Sequence, residues 1–528
     1  MLFTTYLFGI FLAALVLVYY LLPQKCRPYV LLLGSMGYFA ITGAANLLLI
    51  LLTFGSAYAA ARWMERNLEK QKATLALASD WDKPAKKAYK AKEKKKRLWI
   101  LTAALVFNFG LVALLKLDLF GCGSFATSLN KLWHISSDWE VLTLLGLSFY
   151  TFQTMGYLIE VYREKAPAEH NPFKLLLFVS YFPLLIQGPI CRYKDIYENL
   201  FAEHRFSLEN LNLGLARIAW GLAKKLLVAN RLLTAITTIR DYPASFRGGW
   251  FLLVTVLYSA KIYADFTGGI DMTIGISRLF GIDLPENFRQ PFFSKSTKEY
   301  WNRWHISLGE WFTDYLFYPL SVSRPMLALS TWSRAHLGKE VGKRVPVYAA
   351  TILTWFVTGL WHGTAWNFIV WGLLNCLVIL VSQELSPLYK KFRRALPRFT
   401  ESGFYAGFEM LRTFLLMGFI RILDVYGKVG LTFRLFFGMF VPANWRGTPA
   451  MAEFLPAVQI GASDLIVLAA AIAAMFTVSV IGYNKTPVWE RLKRKPCLTL
   501  CCTLLLITVC ILFGRYGIGY DPNAFRYA

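Results

Sequence analysis

Charge is scarce in this sequence and heavily one-sided. Only 17% of the 528 residues are Asp, Glu, Lys or Arg, and 57 bases outnumber 32 acids. Soluble domains carry about 25% charged residues, so an ordinary soluble enzyme is a poor fit. Cysteine is unpatterned as well. The eight thiols form no CxxC or Cys/His spacing, which supports neither a disulfide framework nor a zinc or other metal site. Cys122 alone falls in an expected external loop, while Cys501 and Cys502 are neighbours inside an apolar run. No GxSxG nucleophile elbow, HExxH zinc helix or GxxxxGKS/T phosphate loop is present,. The start has no basic n-region and no small-residue cleavage site, so 2–22 reads as a retained span rather than a signal peptide,. There is also no convincing internal repeat, which counts against many secondary-transporter folds.

What is there is apolar. Hydrophobic residues make up 56% and aromatics 16%, and the mean hydropathy is +0.42. Long apolar runs recur throughout, which indicates an all-α polytopic membrane protein with about 10–12 spans plus re-entrant segments. The net charge of +25 does not point to nucleic acid, because the bases cluster between apolar runs. That is the positive-inside pattern, with anionic lipid headgroups as the surface partner. The clearest marker is 62–97, with thirteen Lys and Arg against five acids, expected as a cytoplasmic loop. Spans at 2–22 and 98–117, a hairpin of 29–41 and 46–61, and a return at 141–161 close the topology around it. The run 171–193 is broken by Pro183, Gly188 and Pro189, as a re-entrant segment would be.

Two of the six histidines stand out. In YWNRWHISLGEWF, 300–312, helical spacing puts His305 on a stripe with Tyr300, Trp301, Trp304, Leu308, Trp311, Phe312 and Tyr315,. Asn302, Arg303, Ser307, Glu310 and Asp314 occupy the opposite face. His362 lies within an apolar stretch longer than one span needs, among Gly359, Gly363 and Thr364. Glycines clustered there mark a break or a close backbone approach. The bland alternative is a packing histidine bonded to backbone carbonyls, but ionisable groups in membrane segments default to function. His134, His170, His204 and His336 lie in polar or connecting segments and read as surface residues.

A neutral imidazole in a site of low polarity can take a proton from a hydroxyl, which can then attack an acyl thioester. The tetrahedral oxyanion would need a donor: a second histidine, an asparagine or a backbone N–H. Composition and spacing stop at a membrane protein with an intramembrane histidine site, and a proton-coupled transporter or flippase remains open at that level.

The segment YADFTGGIDMTIGISRLFGIDLPENFRQPFFSKSTKEYWNRWHISLGEWFTDYLFYPL, 263–320, resembles the membrane-bound O-acyltransferases, in particular their alginate O-acetyltransferase branch. GLWHGTAWNFIVWG, 359–372, is similar to the family's second signature, and 150–163 and 182–193 to its upstream elements. The resemblance implies a fold with a funnel or tunnel, a catalytic core at 140–385 between N-terminal helices (1–139) and C-terminal helices (386–528), and a multi-pass protein of the bacterial cytoplasmic membrane. It implies His362 as catalytic base and His305 as its active-site partner. The implied co-substrate is a cytoplasmic acyl thioester, acetyl-CoA or an acyl carrier protein, with no bound cofactor. The implied acceptor is a cell-wall or extracellular polysaccharide, with a separate extracytoplasmic esterase-like partner.

After DYLFYPL the chain reads SVSRPMLALSTWSRAHLGKEVGKR, where the alginate enzymes show a Gly-Gly-Asn-Arg-like loop, so the acceptor is less constrained than the chemistry. D-alanyl transfer to teichoic acid is the alternative within the family, although the long C-terminal part, 404–528, favours acetyl transfer. Asp265 in an apolar-aromatic run needs a partner, with Lys261 at i−4 as the local candidate,. Gln187, Arg192 and Asn302 are candidates to line the tunnel, and Trp301, Trp304 and Trp361 to shape it.

Overall fold

The computed structural model describes residues 3–115, 146–484 and 488–516. The expected external loop 118–139 with Cys122 and His134, the start of the 141–161 span and the C-terminal residues 517–528 lie outside them. Among the described residues the chain is helical, and the one β-type feature is an isolated antiparallel bridge between Phe288 and Trp304. Five of the described helices are long and apolar enough to cross a membrane: Ala44–Leu77, Lys83–Leu115, Trp366–Glu384, Ala462–Tyr483 and Pro496–Phe513. Shorter apolar helices include Tyr6–Leu21 and Val429–Gly438. Leu465, Ile466 and Phe476 are exposed on one of the long helices, as lipid-facing residues would be. The chain divides into two compact units, residues 1–214 with 273–285, and residues 215–272 with 286–528.

In the first unit, Gly43 at φ 131° turns the chain between helices Arg27–Thr42 and Ala44–Leu77, a backbone angle that favours glycine. The stretch 62–97, expected as a loop, is instead mostly helix, because both long helices run on past their apolar halves. Its Ala, Leu, Lys, Glu and Gln residues are strong helix formers. The interrupted run at 171–193 forms two short helices, Pro172–Ser180 and Phe182–Gln187, broken at Tyr181 and ending at Gly188.

In the second unit, helices Val345–His362 and Trp366–Glu384 form a tight hairpin. A Cβ added at Gly359 would sit 2.6 Å from the Phe368 carbonyl oxygen, and one at Gly372 would sit 2.5 Å from that of Trp355. These glycines let two backbones meet. The break expected near His362 is also present: the helix ends at this residue and Gly363 is extended, at φ 171°.

Candidate active site

The aromatic stripe at 300–315 is not one helix. Helix Thr297–Arg303 stops, and helix Ile306–Phe312 starts with His305 as its N-cap. His305 itself is left-handed, at φ 48° and ψ 54°, a conformation that costs a non-glycine residue ~1–3 kcal/mol. The strand-like stretch at 287–289 holds it there. The Arg289 N–H donates to the Arg303 carbonyl at 3.0 Å, and the Ile306 N–H to the Asn287 carbonyl at 3.0 Å. The periodicity still sorts the side chains: Tyr300, Trp304, His305, Leu308, Trp311, Phe312 and Tyr315 are buried, while Asn302 is exposed.

The Asn287 side chain fixes the protonation of His305. Its Oδ1 accepts from the Ser307 N–H at 2.9 Å and from the Ser307 hydroxyl at 3.0 Å. Its amide nitrogen therefore faces His305 Nδ1, at 3.3 Å. An amide nitrogen only donates, so Nδ1 accepts and the ring proton sits on Nε2. That Nε2 is buried and has no hydrogen-bond partner among the described residues. An orphaned buried donor costs ~1–3 kcal/mol, and it is poised for an acceptor that the described residues do not supply. His305 lies outside the five candidate spans, and burial, with a second contribution from the charge of His362, pushes its pKa down to about 3. Burial thus favours the neutral ring.

Aromatic contacts link the segment of His362 to that of His305. His362 is also buried, 6% exposed. Its ring packs against Trp361 at 4.6 Å and Trp371 at 4.8 Å between centroids. Trp301, from the helix before His305, meets Trp355 at 5.0 Å and Trp371 at 5.8 Å, and Phe312 meets Trp361 at 6.5 Å. Indole rings thus tie the two histidine segments together.

Further groups complete the surroundings. Phe266 lies edge-on to the His305 ring at 4.9 Å. One residue earlier, Asp265 is 2% exposed and is paired with Lys261 at 3.0 Å, as its spacing predicts, and with Lys225 at 2.7 Å, which the spacing does not reveal. Arg421 places its guanidinium 3.9 Å from the centre of the Trp304 ring and donates to the Tyr300 hydroxyl at 2.7 Å. Neither Arg421 nor Asn287 was legible as a site residue, because each lies far along the chain from the residue it touches. A cavity of about 340 Å³, lined by Arg217, Lys224, Tyr263, Phe288 and Trp489 among others, reaches this wall. Phe288 is 5.0 Å from both Phe266 and Trp304.

The structure therefore brings together His305, His362, Trp301, Trp304 and Trp361, with Asp265 beside Phe266. It leaves Asn302 exposed. Gln187, buried at a helix end, and Arg192, the N-cap of helix Tyr193–Phe201, belong to the other unit.

Residues 132–333 and 327–422, together more than half of the chain, match the profile of MBOAT, the membrane-bound O-acyltransferase family. The chain belongs to that family. It is 30% identical over 340 residues to the "Probable alginate O-acetylase" of Pseudomonas aeruginosa, covering 64% of this chain and 58% of that one. It is 32% identical over 334 residues to the peptidoglycan O-acetyltransferase of Helicobacter pylori, covering 57% and 58%. With the teichoic acid D-alanyltransferase of Bacillus subtilis it shares 28% over 291 residues, covering 52% and 70%. The chain thus spans little more than half the length of the two acetyl-transferring relatives.

Proposed function

We propose that this chain is an O-acyltransferase of the bacterial cytoplasmic membrane. It moves an acetyl group from a cytoplasmic thioester to a hydroxyl destined for an envelope or extracellular polysaccharide, with an extracytoplasmic esterase-like partner completing delivery. The observation that carries the reading is a pair of buried imidazoles in unlike settings whose segments share a cluster of indoles, one of them with an Nε2–H that has no partner among the described residues.

The roles follow from the chemistry. His362 takes the proton from the acceptor hydroxyl as its oxygen attacks the thioester carbonyl. The tetrahedral oxyanion receives a hydrogen bond from His305 Nε2–H, aimed in advance at developing charge in a dry site. The carbon–sulfur bond then breaks, and the His362 imidazolium returns its proton to the leaving thiolate. The cavity that Phe288 helps to line is the donor's approach, with Arg217 and Lys224 on its wall. Residues 140–385 form the catalytic core in this reading, extended by Arg421.

The test is the alkali-labile ester content of envelope and secreted polysaccharide in wild-type, deletion and His362→Ala strains at matched membrane expression, with acetate and D-alanine separated by chromatography. The reading expects acetate to be lost in both mutants. Loss of D-alanine instead would transfer the chemistry to teichoic acid. Ester lost in the deletion but kept in His362→Ala would remove His362 from the chemistry.

A further inference from the structure

The helical arm built from 62–97 has features that a topology signal does not require. Helix Lys83–Leu115 is continuous, and only its last eighteen residues, 98–115, are free of charge. The fifteen residues before them therefore project about 22 Å past the hydrocarbon edge, at 1.5 Å per residue. Helix Ala44–Leu77 runs alongside, and a polar seam locks the pair. Arg97 donates to Asn67 at 2.9 Å and to Gln71 at 2.8 Å, and Asn67 donates to Glu93 at 2.6 Å. The tip is closed as well: Trp81 packs edge-on against Tyr89 at 5.3 Å, and Asp82 accepts from the Ala85 N–H at 2.7 Å.

Four of the cations on this arm do not serve the helix. Lys83, Lys87, Lys90 and Lys94 are exposed and follow the i, i+4, i+7, i+11 spacing of one face. Like charges at i+4 repel, and cations near a helix N-terminus oppose its dipole, at ~0.3–1 kcal/mol each. The one acid in 83–97, Glu93, is buried and already held by Lys96 and Asn67. Lipid headgroups do not reach the outer lysines. The headgroup layer is about 5–7 Å deep, and its potential fades within a Debye length of about 8 Å. A small soluble thioester has no use for so long an arm, whereas a folded donor does.

We propose that this arm is the docking surface for an acidic carrier protein that brings the acyl thioester to the membrane, its carboxylates meeting the Lys83–Lys94 stripe. The proposal rests on the acyltransferase reading and on this end being cytoplasmic. Electrostatic complementarity of this kind acts mainly on encounter rate and salt dependence.

The test uses the full chain in neutral phosphatidylcholine nanodiscs, with acetylated holo-acyl carrier protein and acetyl-CoA as separate probes. Two variants are compared with wild type: charge reversal at all four positions (K83E, K87E, K90E, K94E) and neutralisation (the same four to Gln). The Gln variant keeps nine bases against five acids in 62–97, so the orientation signal survives,. Wild type should bind the carrier with an affinity that falls steeply with salt. Both variants should weaken carrier binding, the reversal by about tenfold or more, without changing the response to acetyl-CoA. Equal carrier binding by all three proteins overturns the proposal, as does wild-type binding only to vesicles containing phosphatidylglycerol. If acetyl-CoA is consumed in a His362-dependent way while the carrier neither binds nor donates, the docking proposal falls and the acyltransferase reading stands. If neither thioester is consumed, both fall.

Discussion

His305 and His362 are the same residue in the same compact unit, yet their surroundings differ. His305 interrupts a helix in a strained left-handed conformation, with an asparagine amide on one nitrogen and no partner on the other. His362 closes a regular helix against two indoles, beside an extended glycine. The first setting fixes a tautomer and presents a donor, while the second places a ring at a helix end among indoles. Both rings are buried, so burial does not tell them apart; on His305 it is the Asn287 amide that sets which nitrogen donates.

The largest effect is expected at the base. His362→Ala should reduce acetyl transfer by about 10²–10⁴-fold, as expected for losing a general base, measured as ester formed by reconstituted protein. His305→Ala should cost about 10²–10³-fold, the scale of one oxyanion donor. His305→Gln should recover part of that, because its amide still donates.

Asn287→Asp sharpens the contrast. A carboxylate would draw the proton to His305 Nδ1, leave Nε2 as an acceptor and raise the ring's pKa. Its transfer rate should fall below that of Asn287→Ala, although Asp is the closer replacement in shape. The pH dependence of stability follows from the same ring. Its folded pKa, about 3, lies below the ordinary value of 6.5, so the unfolded chain binds the extra proton first. The contribution of His305 is most favourable to the fold above pH 6.5, declines as pH falls through that window, and levels off below about 3. Thermal melting of wild type and His305→Gln in detergent checks this, since the variant should lose less stability on acidification from pH 7 to 5.

Smaller effects are expected around the frame. Gly359→Ala would push a methyl against the Phe368 carbonyl and should destabilise by about 1–3 kcal/mol, read as a lower melting temperature. Arg421→Lys should lower turnover modestly with little change in KM, because lysine keeps the charge over Trp304 but loses the planar stack.

Much of this site was legible in the sequence. Helical spacing sorted the buried from the exposed residues between 300 and 315, with Asn302 on the far face. The glycines around His362 announced both the break and the close approach. The interruption at Trp304–His305 was not legible, since a strain supported by bonds from 287–289 leaves no local periodic trace. Asn287, Lys225 and Arg421 were hidden for a related reason: each acts on a residue 18 or more positions away. The arm at 62–97 was recognised by charge, but its helical order came from residue types that spacing arguments about spans do not weigh.

The most direct test of the division of labour is the pH–rate profile of acetyl transfer by wild type and His305→Gln. If His362 alone titrates during turnover, the variant should be slower at every pH while its acid limb keeps the wild-type midpoint. An acid limb that disappears or shifts when His305 is replaced would make His305 the titrating base and contradict the assignment.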